Sequence, residues 1–216
     1  ETRQEQALAK GLDAQNCKLA LVWNHTLYQE QDLPFALGDL PDIYTQFRKQ
    51  VERSARVGKL LNKPSQIPKP PQEIYNSSWG CQLVELQDEW RDKLNSYGKR
   101  DPKATLLHQG GAKAGEARLA FYFWESNLIE SYKDTRNGLI GPRYSTQFSP
   151  WLAIGALSPR WIWHETLRYE DTIKSNSSTY WVRFELLWRE YFQWVAYAYG
   201  SALFKPHGLT AELQRK

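Results

Sequence analysis

Two short segments carry residues whose types and spacing could do chemistry. The first is Tyr144-Ser145-Thr146-Gln147-Phe148-Ser149-Pro150-Trp151. Side-chain hydroxyls and backbone N–H groups arrive together there at a helix start, an arrangement that holds phosphate without a metal. A hydroxyl-rich helix cap with no ligand has the same pattern, so the segment alone leaves both readings open. The second is Glu185-Leu186-Leu187-Trp188-Arg189-Glu190-Tyr191-Phe192. Glu185 and Arg189 lie four apart on one helical face and are spaced to pair. Trp188 beside them offers a flat indole that could stack on a base or a flavin. An ordinary ion pair next to a core tryptophan shares that spacing.

Helices must position both segments. Ser149-Pro150 and Ser158-Pro159 each place a hydroxyl before a proline suited to the first helical turn. A last helix from about Ser178 to Tyr199 carries Trp181, Phe184, Trp188, Tyr191 and Val195 three and four apart, a stripe that suits a core. Leu83, Leu86, Trp90 and Leu94 form another stripe, and Leu119, Phe123, Ile129 and Tyr132 a further one after a Gly110-Gly111 turn. Near the start, Glu5 to Leu12 reads as a short helix. Cys17 to Trp23 is an apolar run suited to a strand, and the pair would suit the closing unit of a parallel α/β sheet. Pro41-Asp42 opens a helix with Tyr44, Phe47 and Val51 at helical spacing. Pro64, Pro68, Pro70 and Pro71 then predict an extended linker over Val57 to Gly80.

A chain of 216 residues with 41% apolar content can bury one real core. It has no apolar run of the roughly 20 residues that a membrane span needs, and no secretory signal. It begins with Glu and contains no Met, which reads as a processed or trimmed end. Cys17 and Cys81 are too few for a zinc site or a disulfide framework. The net charge is +4, yet Arg48, Lys49, Arg53, Arg56, Lys59, Lys63 and Lys69 face Glu52 alone between positions 48 and 69. Such a run attracts phosphates, an acidic protein or an anionic surface, and it equally suits a solvated linker.

Several motifs occur together in one order. They are Leu33-Pro34-Phe35, Pro41-Asp42-Ile43-Tyr44-Thr45-Gln46-Phe47-Arg48, Tyr132-Lys133-Asp134-Thr135-Arg136-Asn137-Gly138, Phe148-Ser149-Pro150-Trp151-Leu152-Ala153, Leu157-Ser158-Pro159-Arg160 and Ser178-Thr179-Tyr180-Trp181 leading into Phe184 to Phe192. In order and spacing they resemble the DASH branch of the photolyase and cryptochrome family over nearly the whole chain. The resemblance implies a mainly α fold, a helical bundle like the N-terminal half of the photolyase FAD-binding domain. A helix-strand remnant of an α/β antenna-type domain would span 1–35. A linker with one helix and a Pro-rich extended part would span 36–80, and an incomplete FAD-binding-type helical domain 81–216.

What the resemblance implies about chemistry is equally specific. FAD would be the cofactor, with Tyr132, Ser145, Thr146, Gln147, Phe148 and Ser149 along its diphosphate and ribityl chain and Arg189 on the flavin side. Glu185 and Trp188 would face a flipped pyrimidine dimer, and the family role is blue-light-driven repair of such dimers in single-stranded DNA, or blue-light sensing. No catalytic residue is assigned within this chain and no metal is expected. The family carries Lys or Arg where this chain has Gln147, and its Gly-Gly-Glu start is Gly110-Gly111-Ala112 here. The family sequence continues well past Lys205-Pro206-His207-Gly208, so a second polypeptide or large assembly covering the Trp181–Tyr199 helix is the other expected partner. The alternative role is a catalytically inactive, photolyase-derived structural or linker subunit. Either role places the chain inside the cell, in cytoplasm or an organelle such as the chloroplast.

Overall fold

The computed structural model describes residues 2–20, 22–62, 64–69, 90, 108–138 and 141–209. The expected stripe of Leu83, Leu86 and Leu94, the rest of the Pro-rich linker and Cys81 lie outside them. Helices build the described chain: α1 (Thr2–Asp13), α2 (Tyr44–Ser54), α3 (Ala112–Ala120), α4 (Tyr132–Thr135), α5 (Ser149–Ala153), α6 (Pro159–Thr172) and α7 (Ser177–Tyr199). The mainly helical fold expected from the sequence is the one observed.

Helix α7 is the axis on which the others pack, and its start is well specified. Asn176 Oδ1 accepts from the backbone N–H of Ser178 (2.8 Å) and Thr179 (2.9 Å), while Thr179 Oγ1 accepts from the Asn176 N–H (3.0 Å). This reciprocal box satisfies donors that a helix start leaves unpaired. The buried stripe of α7 includes Leu187, Tyr191, Trp194 and Val195. Tyr44 of α2 stacks on Trp188 with centroids 3.6 Å apart and donates its hydroxyl to the Phe184 carbonyl at 2.9 Å. Phe47 and Val51 of α2 are fully buried, so the Tyr44, Phe47, Val51 spacing did mark a core face.

Three expectations are corrected. Leu119, Phe123, Ile129 and Tyr132 are all buried, but not along one helix. A π turn at Phe121–Glu125 follows α3, Asn127 takes a left-handed φ of 49°, and a 3-10 turn over Leu128–Ser131 leads into α4. Pro150 and Pro159 do occupy first turns, yet neither helix is capped by the expected serine hydroxyl. Phe148 is the cap residue of α5, and Ser158 makes no side-chain cap bond.

The third correction concerns Cys17 to Trp23. No strand forms among the described residues, because an isolated strand has no neighbour to satisfy its backbone. Helix side chains supply those partners just beyond it. Arg160 of α6 donates to the carbonyls of Trp23 (3.1 Å), Thr26 (3.0 Å) and Leu27 (3.2 Å). Glu190 of α7 accepts from the N–H groups of Leu27 (2.7 Å) and Tyr28 (3.2 Å). Trp23 itself stacks on Trp194, with centroids 5.2 Å apart.

Candidate functional site

A cavity of about 760 Å³ opens between the 141–149 segment, α4 and one face of α7. Its size lies within the range of small-molecule and cofactor sites. Tyr132, Ser145, Thr146, Gln147, Phe148, Ser149, Glu185 and Arg189 all line it. The two segments singled out in the sequence therefore meet at one place, from positions about forty residues apart in the chain.

Arg118 of α3 shapes the segment that bears the hydroxyls. Its guanidinium donates to the carbonyls of Thr146 (2.9 Å), Ser145 (2.7 Å) and Pro142 (2.6 Å). It also lies 5.4 Å from the Phe121 ring and 5.2 Å from the Tyr122 ring. Burial lowers its pKa from the usual arginine value. With these carbonyls turned to Arg118, the 145–146 side chains are left to face the cavity. Thr135 Oγ1 fixes the next carbonyl, that of Tyr144, at 2.8 Å. Phe148 packs on Phe123 beneath the loop, with centroids 6.0 Å apart.

Gln147 holds an unusual position. Its backbone φ is +55°, a left-handed value that non-glycine residues seldom take. Its Nε2 donates to the Gly141 carbonyl at 3.2 Å, while its Oε1 is buried without a hydrogen-bond partner among the described residues. A buried acceptor left without a donor is costly.

The α7 side of the cavity presents Val182, Glu185, Leu186, Arg189 and Gln193. Glu185 and Arg189 do not pair as their spacing suggested. Glu185 takes an ion pair with Arg136 at 2.9 Å and the Trp181 indole N–H at 3.0 Å. Arg189 donates to the His25 carbonyl (2.6 Å) and to Gln193 Oε1 (3.3 Å), both uncharged acceptors. Its positive charge thus stands at the cavity wall without a hydrogen-bonded carboxylate among the described residues, and burial lowers its pKa. Burial also pushes the Tyr132 hydroxyl up to about 12, so it remains a neutral donor. Trp188 is not brought to this cavity; it lies on another face of α7, between Tyr44 and Phe192.

Sequence reasoning missed Arg118, Arg136, His25, Gln193 and Glu190. Arg136 and His25 come from turns whose approach to α7 depends on the whole fold. Glu190 is fully buried, where it accepts the Leu27 and Tyr28 amides and the Trp194 indole N–H (2.9 Å). Its period with Leu186 and Leu187 was the available signal, since it shares their buried stripe. Among the described residues no group of three or more His, Cys, Asp or Glu could hold a metal, and no helix is long and apolar enough to cross a membrane.

Comparison with known proteins follows the same lines. No family model matches the chain. The chain is 44% identical over 192 residues to a cryptochrome DASH of Danio rerio, covering 87% of this chain and 35% of that protein. It is 42% identical over 205 residues to one of Synechocystis, covering 95% of this chain and 40% of that protein. It is 44% identical over 195 residues to a chloroplastic/mitochondrial cryptochrome DASH of Oryza sativa, covering 89% of this chain and 32% of that protein. The crystal structure of the Synechocystis cryptochrome superposes with a TM-score of 0.73 at 40% identity, covering 95% of this chain and 41% of that one. The chain therefore spans about a third to two fifths of the relatives it matches. In sequence over most of its length, and in fold, this chain is a homologue of part of the DASH-type cryptochromes.

Proposed function

We propose that the cavity is one wall of an FAD site, in a flavoprotein whose family role is blue-light-driven repair of cyclobutane pyrimidine dimers in single-stranded DNA, or blue-light sensing. The observation that carries this reading is the convergence of Tyr132, the 145–149 segment and Arg189 on a single cavity. The residues present fit the group. Ser145, Thr146 and Ser149 offer hydroxyls, Arg189 offers a guanidinium bound to uncharged acceptors, and Phe148 and Leu186 offer apolar surface. Gln147 supplies no cation, and its unpartnered Oε1 is an acceptor that a ribityl or ribose hydroxyl could satisfy.

When bound, FAD would supply light-driven electron transfer to or from a substrate. The chain's own residues would do the rest. Arg189 and the hydroxyls would fix the anionic chain of the cofactor by charge-assisted hydrogen bonds. Tyr132 would donate a neutral hydrogen bond throughout the physiological pH range. Glu185, held by Arg136 and Trp181, would present a carboxylate at the edge of the cavity. Trp188, with one ring face on Tyr44, would act there only after leaving that stack, so it is assigned support of α2. The proposed division is an antenna-type remnant over 1–35, a linker over 36–80 and a flavin-type helical part over 81–216. An organelle or the cytoplasm would house it, as the plant relatives' names indicate for those proteins.

The second reading is a structural subunit without catalysis, docked on a larger assembly. Exposed Phe192 and Tyr197 on α7, and Phe204 in the turn after it, favour it. A single experiment separates the readings: chain supplied with FAD and a thymine-dimer oligonucleotide, single-stranded, in blue light and in darkness. Light-dependent loss of the dimer assigns repair. Retained FAD without repair assigns sensing, and failure to retain FAD leaves the structural subunit.

A further inference from the structure

A second cavity, about 380 Å³, lies between the end of α2, the 55–58 segment, α6 and α7, and shares no lining residue with the first. Three features of it are unexplained by packing. The first is Tyr28, which is 2% exposed and lines the cavity, yet whose hydroxyl has no hydrogen-bond partner among the described residues. That hydroxyl is close enough to feel the charges of Glu52 and Arg56, which line the same cavity, and burial raises its pKa. That hydroxyl is not sealed from solvent, so its donor is open to a group that enters the cavity.

The second feature is the charge balance of the walls. The Glu52 carboxylate is already taken by Arg48 (2.7 Å) and the Tyr180 hydroxyl (2.6 Å). Arg183 is tied to Glu170 at 3.0 Å. Arg56 is left with only a 3.3 Å bond to the Ala55 carbonyl and no carboxylate among the described residues. The lining therefore offers one guanidinium that lacks a carboxylate partner among the described residues, together with the Tyr28 hydroxyl donor. Together they make a two-point grip for a single anionic group.

The third feature is rigidity and shape. His164 Nε2 sits 2.8 Å from the Gly58 carbonyl, and since a carbonyl only accepts, that nitrogen carries the proton. This bond pins the 55–58 segment to α6 and keeps the cavity wall in place. Trp163 and Tyr180 contribute aromatic surface, and the Arg183 guanidinium lies 5.6 Å from the Trp163 ring. A volume near the lower end of the range for ligand pockets suits a compact flat molecule.

We propose that this cavity binds a small planar molecule bearing one phosphate or carboxylate, with Arg56 and the Tyr28 hydroxyl holding the anion and Trp163 against the ring. The site is independent of the flavin reading and would persist if that reading failed. It also gives a purpose to part of the basic run between positions 48 and 69, which the first cavity does not use.

The test is calorimetric titration of the full chain with adenosine monophosphate, with nicotinate as the carboxylate arm, and with adenosine as the neutral control. Saturable binding of either anion, with adenosine at least about tenfold weaker than its monophosphate, is expected from loss of a charge-assisted contact. Arg56→Ala and Tyr28→Phe should each weaken the bound anion, Arg56→Ala by about tenfold or more. Arg56 is exposed and Tyr28→Phe removes one oxygen, so unchanged circular dichroism verifies that both variants fold. Absence of saturation with both anions overturns the proposal. So does binding that neither substitution changes, or binding that is lost on Arg189→Ala, which would place the probe in the first cavity.

Discussion

Gln147 is where the residue scale bears most directly on cofactor affinity. It lines the proposed FAD cavity with an amide, where the family resemblance implies a cation. Gln147→Lys should tighten FAD binding by about 1.5–3 kcal/mol, tenfold or more, as a charge-assisted contact to the diphosphate is gained; fluorescence titration of FAD measures it. Glu190 sets a second residue-scale expectation. Desolvation raises its pKa to about 7, against 4.5 for an ordinary glutamate, and its three N–H partners only partly offset that. Between those values the fold holds a proton that the unfolded chain has released, so stability falls as pH rises from about 4.5 to about 7. Unfolding midpoints across that window should show this slope, and Glu190→Gln, which cannot ionise, should flatten it. Glu190→Ala should cost at least about 3 kcal/mol, because three buried donors lose their acceptor. Ser145, Thr146, Ser149 and Arg189 could be singled out by residue type and spacing, and the fold brings them to one cavity. Arg118 could not be, since its partners are backbone carbonyls of a loop, and no side-chain pattern encodes those.

At the scale of elements, α7 decides the geometry of both cavities. Its two faces carry different residues: Val182, Leu186, Arg189 and Gln193 toward the first cavity, Tyr180 and Arg183 toward the second. The register of those faces is fixed at the start of the helix by the Asn176 and Thr179 box. Asn176→Ala should destabilise the chain by about 1 kcal/mol, read as a lower urea midpoint with an unchanged slope. The Asn176 Nδ2 bond to the Glu130 carbonyl (3.0 Å) would be lost with it. Helices α2 and α7 were readable because an apolar period of three and four survives in their sequences whatever they pack against. The strand at Cys17 to Trp23 was not, because a strand exists only with a neighbour, and composition cannot supply one. Likewise the apolar spacing from Leu119 to Tyr132 marked burial correctly while hiding the π turn and the left-handed Asn127 that divide it.

Across the whole molecule, residues from Leu27 to Ala55 share one buried cluster with α6 and α7, so the segment before the Pro-rich stretch is built into the helical body. Arg160, Arg189 and Glu190 bind that segment through its backbone, which replaces the ladder a sheet would have provided. The same clamp places His25 against Arg189 and so closes one corner of the first cavity. FAD in this cavity would be held by Arg189 and the 145–149 hydroxyls. The most direct test of that hold is fluorescence titration of FAD with the purified chain, in parallel with Arg189→Ala. Saturable quenching is expected for the unaltered chain, with at least about tenfold weaker binding for the variant. No saturable binding, or equal binding by the two proteins, would contradict it.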